Sequence, residues 1–426
     1  MRTRSMAVAG VMPFLLALGC SGGGAAGTGT TALAAAGGRQ GSAASGGASS
    51  NATASGERGH FAVRNLVSDG TIAAEHTDAN LVNAWGLSAL PTSPWWISDN
   101  GTGKTTLYDG EGVARPLVVA VAGAGGPAAP TGTVANADTT AFQLTSGGAT
   151  AAGRFLFASE DGTISGWNPA VPTAGSTTTV VMVDHSASGA VYKGLALATT
   201  SGGPRLYATD FHDGTVETFD GAWAPVATAG FIDPNLPAGF APFGIAAIGG
   251  EVVVTYALQD ADRHDDVAGA GLGIVSAFGT DGTFHRRIAT RGALNSPWGL
   301  AAAPATFGRA GGMLLVGNFG DGRIHAFRWP GGRGSGGKGD ATAQDHGSGG
   351  DGMGGQGDGE GDDEGGRVLR DASGPIVIDG LWGLGFGNGA ASGPVDALYF
   401  TAGPDGEAHG LFGRIDWVPG VADGGD

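Results

Sequence analysis

The sequence predicts an all-β fold, a six-bladed β-propeller of four-stranded antiparallel blades whose ring is closed by the N-terminal strand. Three observations carry the prediction. A short aromatic–glycine–aliphatic signature recurs six times, each copy is followed by strand-like runs, and helical periodicity is missing beyond the N-terminal leader. The clear copies are Trp85-Gly86-Leu87, Phe243-Gly244-Ile245, Trp298-Gly299-Leu300 and Trp382-Gly383-Leu384, and the weaker ones are Thr131-Gly132-Thr133 and Lys193-Gly194-Leu195. Their glycines are spaced 46, 62, 50, 55 and 84 residues apart, and removing the 36-residue Gly-rich run 331–366 from the last interval leaves 48. A period of this size with several short strands per repeat is a propeller pattern.

Each element of a blade has its own signal. The signature glycine lets innermost strands crowd the axis where a Cβ would clash, and the aromatic before it is expected to fill the wedge between blades. Asp-Gly at 161–162, 213–214 and 321–322 marks the turn between the second and third strands, because such turns need positive φ. After the turn, a β-branched residue and an aromatic recur as Ile164 and Trp167, Val216 and Phe219, Val275 and Phe278, and Ile324 and Phe327. Val-rich runs such as LVVAV and TTTVVMV supply outer strands. The run FAVRNLVSD at 61–69 precedes the first signature as RRIAT precedes the fifth, so it is expected to be the outermost strand of the last blade.

The flanking segments read differently. Arg2 and Arg4 precede an apolar run that ends at Cys20, too short to span a bilayer and typical of an export signal. Ala17-Leu18-Gly19-Cys20 resembles a bacterial lipobox, with Ala17 departing from the larger aliphatic usual there; the resemblance implies lipidation of Cys20, Ser21 rather than Asp after it favours an outer-membrane anchor, and a plain signal peptide with secretion is the alternative. Residues 21–57, nearly all Gly, Ser, Ala and Thr, are expected to form a flexible tether of about 30–35 Å reach. The run 331–366 carries Arg333 and Lys338 against eight acids and is expected to be a disordered acidic insertion, and 418–426 a C-terminal tail.

Composition narrows the function. The 426 residues include 85 glycines and only 14% charged residues, but 41% hydrophobic ones, enough for a core. With 22 Lys+Arg against 39 Asp+Glu, the net charge of −17 argues against nucleic acid. One cysteine excludes an internal disulfide and Cys-based zinc clusters. Asn100-Gly101-Thr102-Gly103-Lys104-Thr105 lacks the first glycine of a phosphate loop and joins two strands rather than opening a helix.

Long strings, among them HTDANLVNAWGL, EDGTISGWNP, SASGAVYKGLAL, YALQDADRHDDVAGAG and GNFGDGRI, make the chain resemble a family of secreted bacterial six-bladed propeller proteins of NHL or SMP-30-like type over about residues 61–416. The resemblance implies the fold and no particular activity.

Aligning the repeats places Asp99, Glu160, Asp210, Tyr256, Asn318 and Ala402 at the ends of second strands, on the face that also receives Asn80, Asn83, Asn235 and Asn295 from the entry loops. Glu160, Asp210 and Asn318 then form an all-oxygen set suited to Ca²⁺ or Mg²⁺. Similarity in outline to SMP-30-like lactonases implies a divalent ion at the channel mouth that polarises a carbonyl and activates water. Turn capping by Asp and Asn is the competing explanation. His264 and Asp265, with Asp266, lie in an expanded fourth-repeat loop able to supply a general base, a metal ligand or a solvated charge cluster. Lys193 replaces a signature aromatic and either points a cation at the axis or snorkels at its rim. Asn83, Asp99, Asn100, Lys193, His212 and Asn295 are the candidate ligand-facing residues, although His212 and His409 read more simply as surface or turn histidines. The functional expectation is a monomeric, envelope-anchored module that binds a small molecule, a polysaccharide or an envelope protein. A metal-dependent lactone or ester hydrolase is the alternative.

Overall fold

The structure, a computed structural model, describes residues 59–328 and 366–420. The leader with Cys20, the 21–57 tether, most of the 331–366 insertion and residues 421–426 lie outside the described residues. The described chain forms six antiparallel blades in sequence order. Their innermost strands are Ala84–Ser88, Pro130–Ala135, Tyr192–Thr200, Phe240–Ile248, Pro297–Ala302 and Leu381–Phe386. The sixth blade is completed by His60–Ser68, paired antiparallel with Leu411–Val418, so the N-terminal strand closes the ring as expected.

The glycine signature is an interlocked ring. A Cβ on Gly86 would lie 2.6 Å from the Thr131 carbonyl oxygen, one on Gly194 2.9 Å from that of Phe243, and one on Gly299 2.5 Å from that of Trp382. Gly383 closes the circle, its Cβ position 2.6 Å from the Trp85 carbonyl oxygen. Each strand therefore packs its glycine against the backbone of the next blade's signature. Threonines bind the same seam: Thr131 Oγ1 donates to Tyr192 O at 2.7 Å and Thr209 Oγ1 to Phe243 O at 2.7 Å.

The signature aromatics do not fill the wedges between blades. Trp85, Phe243, Trp298 and Trp382, from four different blades, meet one another: Trp85 stacks on Trp382 at 3.6 Å, and Trp298 and Phe243 contact Trp382 at 5.7 and 5.8 Å. With Phe211 they form one buried cluster, and the half-buried Phe319 packs against it. Side chains from four blades can converge only on the axis, so these rings plug the channel. The wedges are filled by the post-turn pairs: Ile164 and Phe219, Val216 and Phe278, Val275 and Phe327 share buried clusters.

The blades depart from uniformity in three places. The third has three strands, ending at Thr215–Asp220. Beyond it Pro225 forms a single bridge to Phe219 and, lacking an N–H, cannot extend the ladder. The sixth gains a short fifth strand, His76–Thr77, parallel to Val67 and Ser68. An extra hairpin, Gln143–Ser146 with Ala149–Ala152, lies inside the second repeat and accounts for its 62-residue interval. Its turn is Gly147-Gly148, both at positive φ. The Asp-Gly turns are built as expected, with Gly162, Gly214 and Gly322 at φ of 76, 69 and 68°.

Candidate functional site

The ends of the second strands decide which side chains reach the axis. Strand pairing matches Asp99 to Ala84, Ser159 to Pro130, Asp210 to Tyr192, Tyr256 to Pro242, Asn318 to Pro297 and Ala402 to Leu381, each partner being the residue before the signature. Ser159, not Glu160, is thus the equivalent of Asp99 and Asp210. Successive strand side chains point to opposite sides, so the one-residue offset changes where Glu160 points. Its true counterparts are Asn100, Phe211, Ala257, Phe319 and Gly403, and three of these belong to the axial plug.

The residues on the other side cap their own blades. Asp210 Oδ1 accepts from Val191 N at 3.1 Å and Asp213 N at 3.2 Å. Asn318 Nδ2 donates to Ala293 O at 2.8 Å and to Asp321 at 3.1 Å, and Asp99 Oδ1 accepts from Thr106 Oγ1 at 3.2 Å. All three are buried. Burial pushes the Asp99 carboxyl well above the usual range and raises that of Asp210. Capping of this kind is the ordinary use of Asp and Asn in tight turns.

Glu160 instead joins a polar chain across the channel mouth that draws on five blades. Lys193 Nζ donates to Glu160 Oε1 and, at 3.0 Å, to Asp265 Oδ1. Asn100 Nδ2 donates to Glu160 Oε2 at 2.9 Å, Asn83 Nδ2 to Asn100 Oδ1 at 3.2 Å and to Glu407 Oε2 at 2.6 Å. The Trp382 indole N–H closes on Asn83 Oδ1 at 3.1 Å, tying the polar chain to the plug. His264 Nδ1 lies 2.9 Å from Asp265 Oδ1. Lys193 points its cation at the axis, its Nζ 5.2 Å from the Trp85 ring centroid. The ammonium-bearing side chain is 2% exposed.

Burial opposes the Lys193 charge, but the Glu160 and Asp265 carboxylates outweigh it and hold the ammonium above the ordinary lysine range. For Asp265, burial pushes upward and Lys193 pulls further down, leaving the carboxyl below the usual range. Burial raises the Glu407 carboxyl against the opposing Asn83 bond, and the Glu160 charge adds to the rise.

A divalent ion fits this arrangement poorly. Glu160, His264 and Asp265 are the one group of three metal-ligating side chains found together among the described residues, their ligand atoms within 4.8 Å of one another. Lys193 already occupies two of the three, and Asn100 takes the remaining Glu160 oxygen. At about 4 Å and an effective dielectric near 20, that ammonium repels a dication by roughly 8 kcal/mol, which cancels the attraction of one of the two carboxylates. The expected set of Glu160, Asp210 and Asn318 is divided between the mouth and the blade caps.

The other candidates sit around this core. Asn295 Oδ1 accepts from Gly269 N at 2.7 Å and caps the fourth-blade loop. His212 pairs with its neighbour Asp213 at 3.0 Å, and His409 with Asp69 at 2.7 Å. Asn80 Oδ1 accepts from Lys104 Nζ at 2.7 Å, and Asn235 N donates to Asp233 Oδ1 at 2.9 Å. Burial raises the Asp266 carboxyl. Sequence reading passed over Glu407. Its signal was its place between the second and third strands of the sixth repeat, where the fourth repeat carries Asp265. On the far side of the plug, the innermost strands enclose a funnel of about 320 Å³ lined by Leu87, Leu195, Ile245 and Leu384 together with Ser88 and Thr133, with no charged side chain among its walls.

No family model matches the chain. Among solved structures it resembles the gluconolactonase XC5397 of Xanthomonas campestris (12% identity, TM-score 0.45, covering 80% of this chain and 87% of that one). It also resembles the virginiamycin B lyase of Staphylococcus aureus (12% identity, TM-score 0.44, covering 84% and 100%). No residue role carries over from either. Two proteins of Acanthamoeba polyphaga mimivirus are much nearer in sequence. "Uncharacterized protein L690" is 32% identical over 273 residues, 62% of this chain and 71% of that protein. "Uncharacterized protein R648" is 32% identical over 362 residues, 83% of this chain and 79% of that protein. The chain, a six-bladed propeller with its polar mouth and aromatic plug, belongs to the family of these mimivirus proteins.

Proposed function

We propose that the protein is a ligand-binding module that takes a small polar molecule or a saccharide at the Lys193 mouth, and that it works as an exported monomer held to the bacterial envelope through Cys20. The observation that carries this reading is the chain of hydrogen bonds from Trp382 through Asn83, Asn100 and Glu160 to Lys193 and Asp265. It gathers donors and acceptors from five blades at one end of the axis, and convergent polar groups of this kind can orient a polar ligand. Lys193, held in its charged form, is a donor and not a base, which favours recognition over proton abstraction. The metal-dependent hydrolase is disfavoured by the ammonium that stands among its ligands.

Thermal-shift screening of the full chain against saccharides and small polar molecules tests the reading. A ligand should stabilise the wild type and lose that effect in Asn100→Ala. EDTA-sensitive hydrolysis of lactones or aryl esters would contradict it. Release of the protein from membranes by Cys20→Ala checks the anchor, and retention would contradict it.

A further inference from the structure

The Lys193 ammonium is held from two sides that are built differently. Glu160 is 16% exposed, with its second oxygen fixed by Asn100, whereas the Asp265 side chain is 65% exposed. Lys193 is thus gripped from within by protein and capped toward solvent by a carboxylate on a rotatable side chain. The turn that carries this carboxylate does not depend on it. Asp260 N donates to Asp265 O at 2.8 Å, Val267 N to Leu258 O at 2.8 Å, and Gln259 bridges Asp266. His264 N is satisfied separately by Asp260 Oδ1 at 2.9 Å. Asp265 can therefore swing outward while its hairpin stays folded.

Outward rotation uncovers a charged donor with the His264 ring beside it and Trp85 beneath it. The Trp85 indole N–H is buried and has no partner among the described residues. The group that fits has the charge and shape of the one that left. A carboxylate restores one negative charge for one, whereas a phosphate dianion adds a charge beside Glu160 and Glu407. We propose that Asp265 is an internal stand-in for a ligand carboxylate, so that the mouth recognises a small organic acid or sugar acid whose carboxylate takes over the Lys193 ammonium as Asp265 turns out. This rests on the mouth being the binding site.

The test titrates the full-length protein with D-glucuronate and with neutral D-glucose, read by tryptophan fluorescence and calorimetry. Asp265→Ala should bind glucuronate at least tenfold more tightly than the wild type, glucose affinity should not change, and Asp265→Glu should show no gain. Adding Lys193→Met to Asp265→Ala should abolish the gain; Asp265→Ala alone keeps the test decisive if that double variant does not fold. Equal glucuronate affinity in wild type and Asp265→Ala, or an equal gain for glucose, overturns the proposal. If glucose binds in an Asn100-dependent manner while Asp265→Ala leaves glucuronate unchanged, the carboxylate inference fails and the mouth survives. If neither sugar binds any variant, both fall.

Discussion

The two ends of the axial channel are made by the same six innermost strands, yet one is charged and the other is not. One end displays Asn83, Asn100, Glu160, Lys193, Asp265 and Glu407 in a connected polar chain. The other is a funnel whose walls carry Leu87, Leu195, Ile245 and Leu384 beside Ser88 and Thr133 and no charged side chain. The aromatic plug separates them. The uncharged end is the repeat itself, because an aliphatic side chain follows the signature glycine in five of the six blades and Thr133 in the second. The polar end is where the repeats disagree. Lys193 stands where four other blades place an aromatic, and Glu160 and Asn100 stand where two others place Phe211 and Phe319. Repetition builds the ring, and the exceptions to it build the site.

The largest effect should come from breaking the polar end. Lys193→Met leaves Glu160 facing no cation, and loss of one partner of a buried pair costs about 3–5 kcal/mol. Two residues along the same strand, Leu195→Met conserves volume at the uncharged end and should cost less than about 1.5 kcal/mol. Chemical denaturation of both variants measures the contrast, and equal losses would erase the distinction between the two ends. Gly299→Ala tests the seam that both ends share. Its Cβ would sit 2.5 Å from the Trp382 carbonyl oxygen, an overpacking expected to cost about 1–3 kcal/mol.

A smaller effect sharpens the electrostatics of the mouth. Glu407 has a folded-state pKa raised above its unfolded value, so its contribution to stability is present at low pH and is lost as pH rises through the folded pKa. Glu407→Gln keeps an acceptor for Asn83 and removes that loss. The variant should melt higher than the wild type near pH 8, and the two melting temperatures should converge below the ordinary glutamate value of 4.5. A difference that persists or grows on acidification would contradict the assignment.

Most of the architecture was legible because it follows from residues that recur. The glycine of each signature, the Asp-Gly turns and the closing strand at 60–68 all took the places expected of them. The site was harder to read because it depends on register. Placing Glu160 level with Asp99 and Asp210 is an error of one residue, and in a strand one residue exchanges the two sides. That single offset made a metal set out of one mouth residue and two caps. The pairing of Ser159 with Pro130 resolves it. The role of the signature aromatics was misplaced for a related reason, since the pattern marks a buried side chain without saying whether axis or wedge buries it. Pro225, which ends the third blade early, was visible in the sequence as a ladder breaker.

Calcium calorimetry on the wild-type protein addresses the central claim, that a lysine ammonium occupies the position a dication would need. Titration into the millimolar range should give neither saturable heat nor a rise in melting temperature. Saturable binding of one ion per chain, lost in Glu160→Gln, would contradict it.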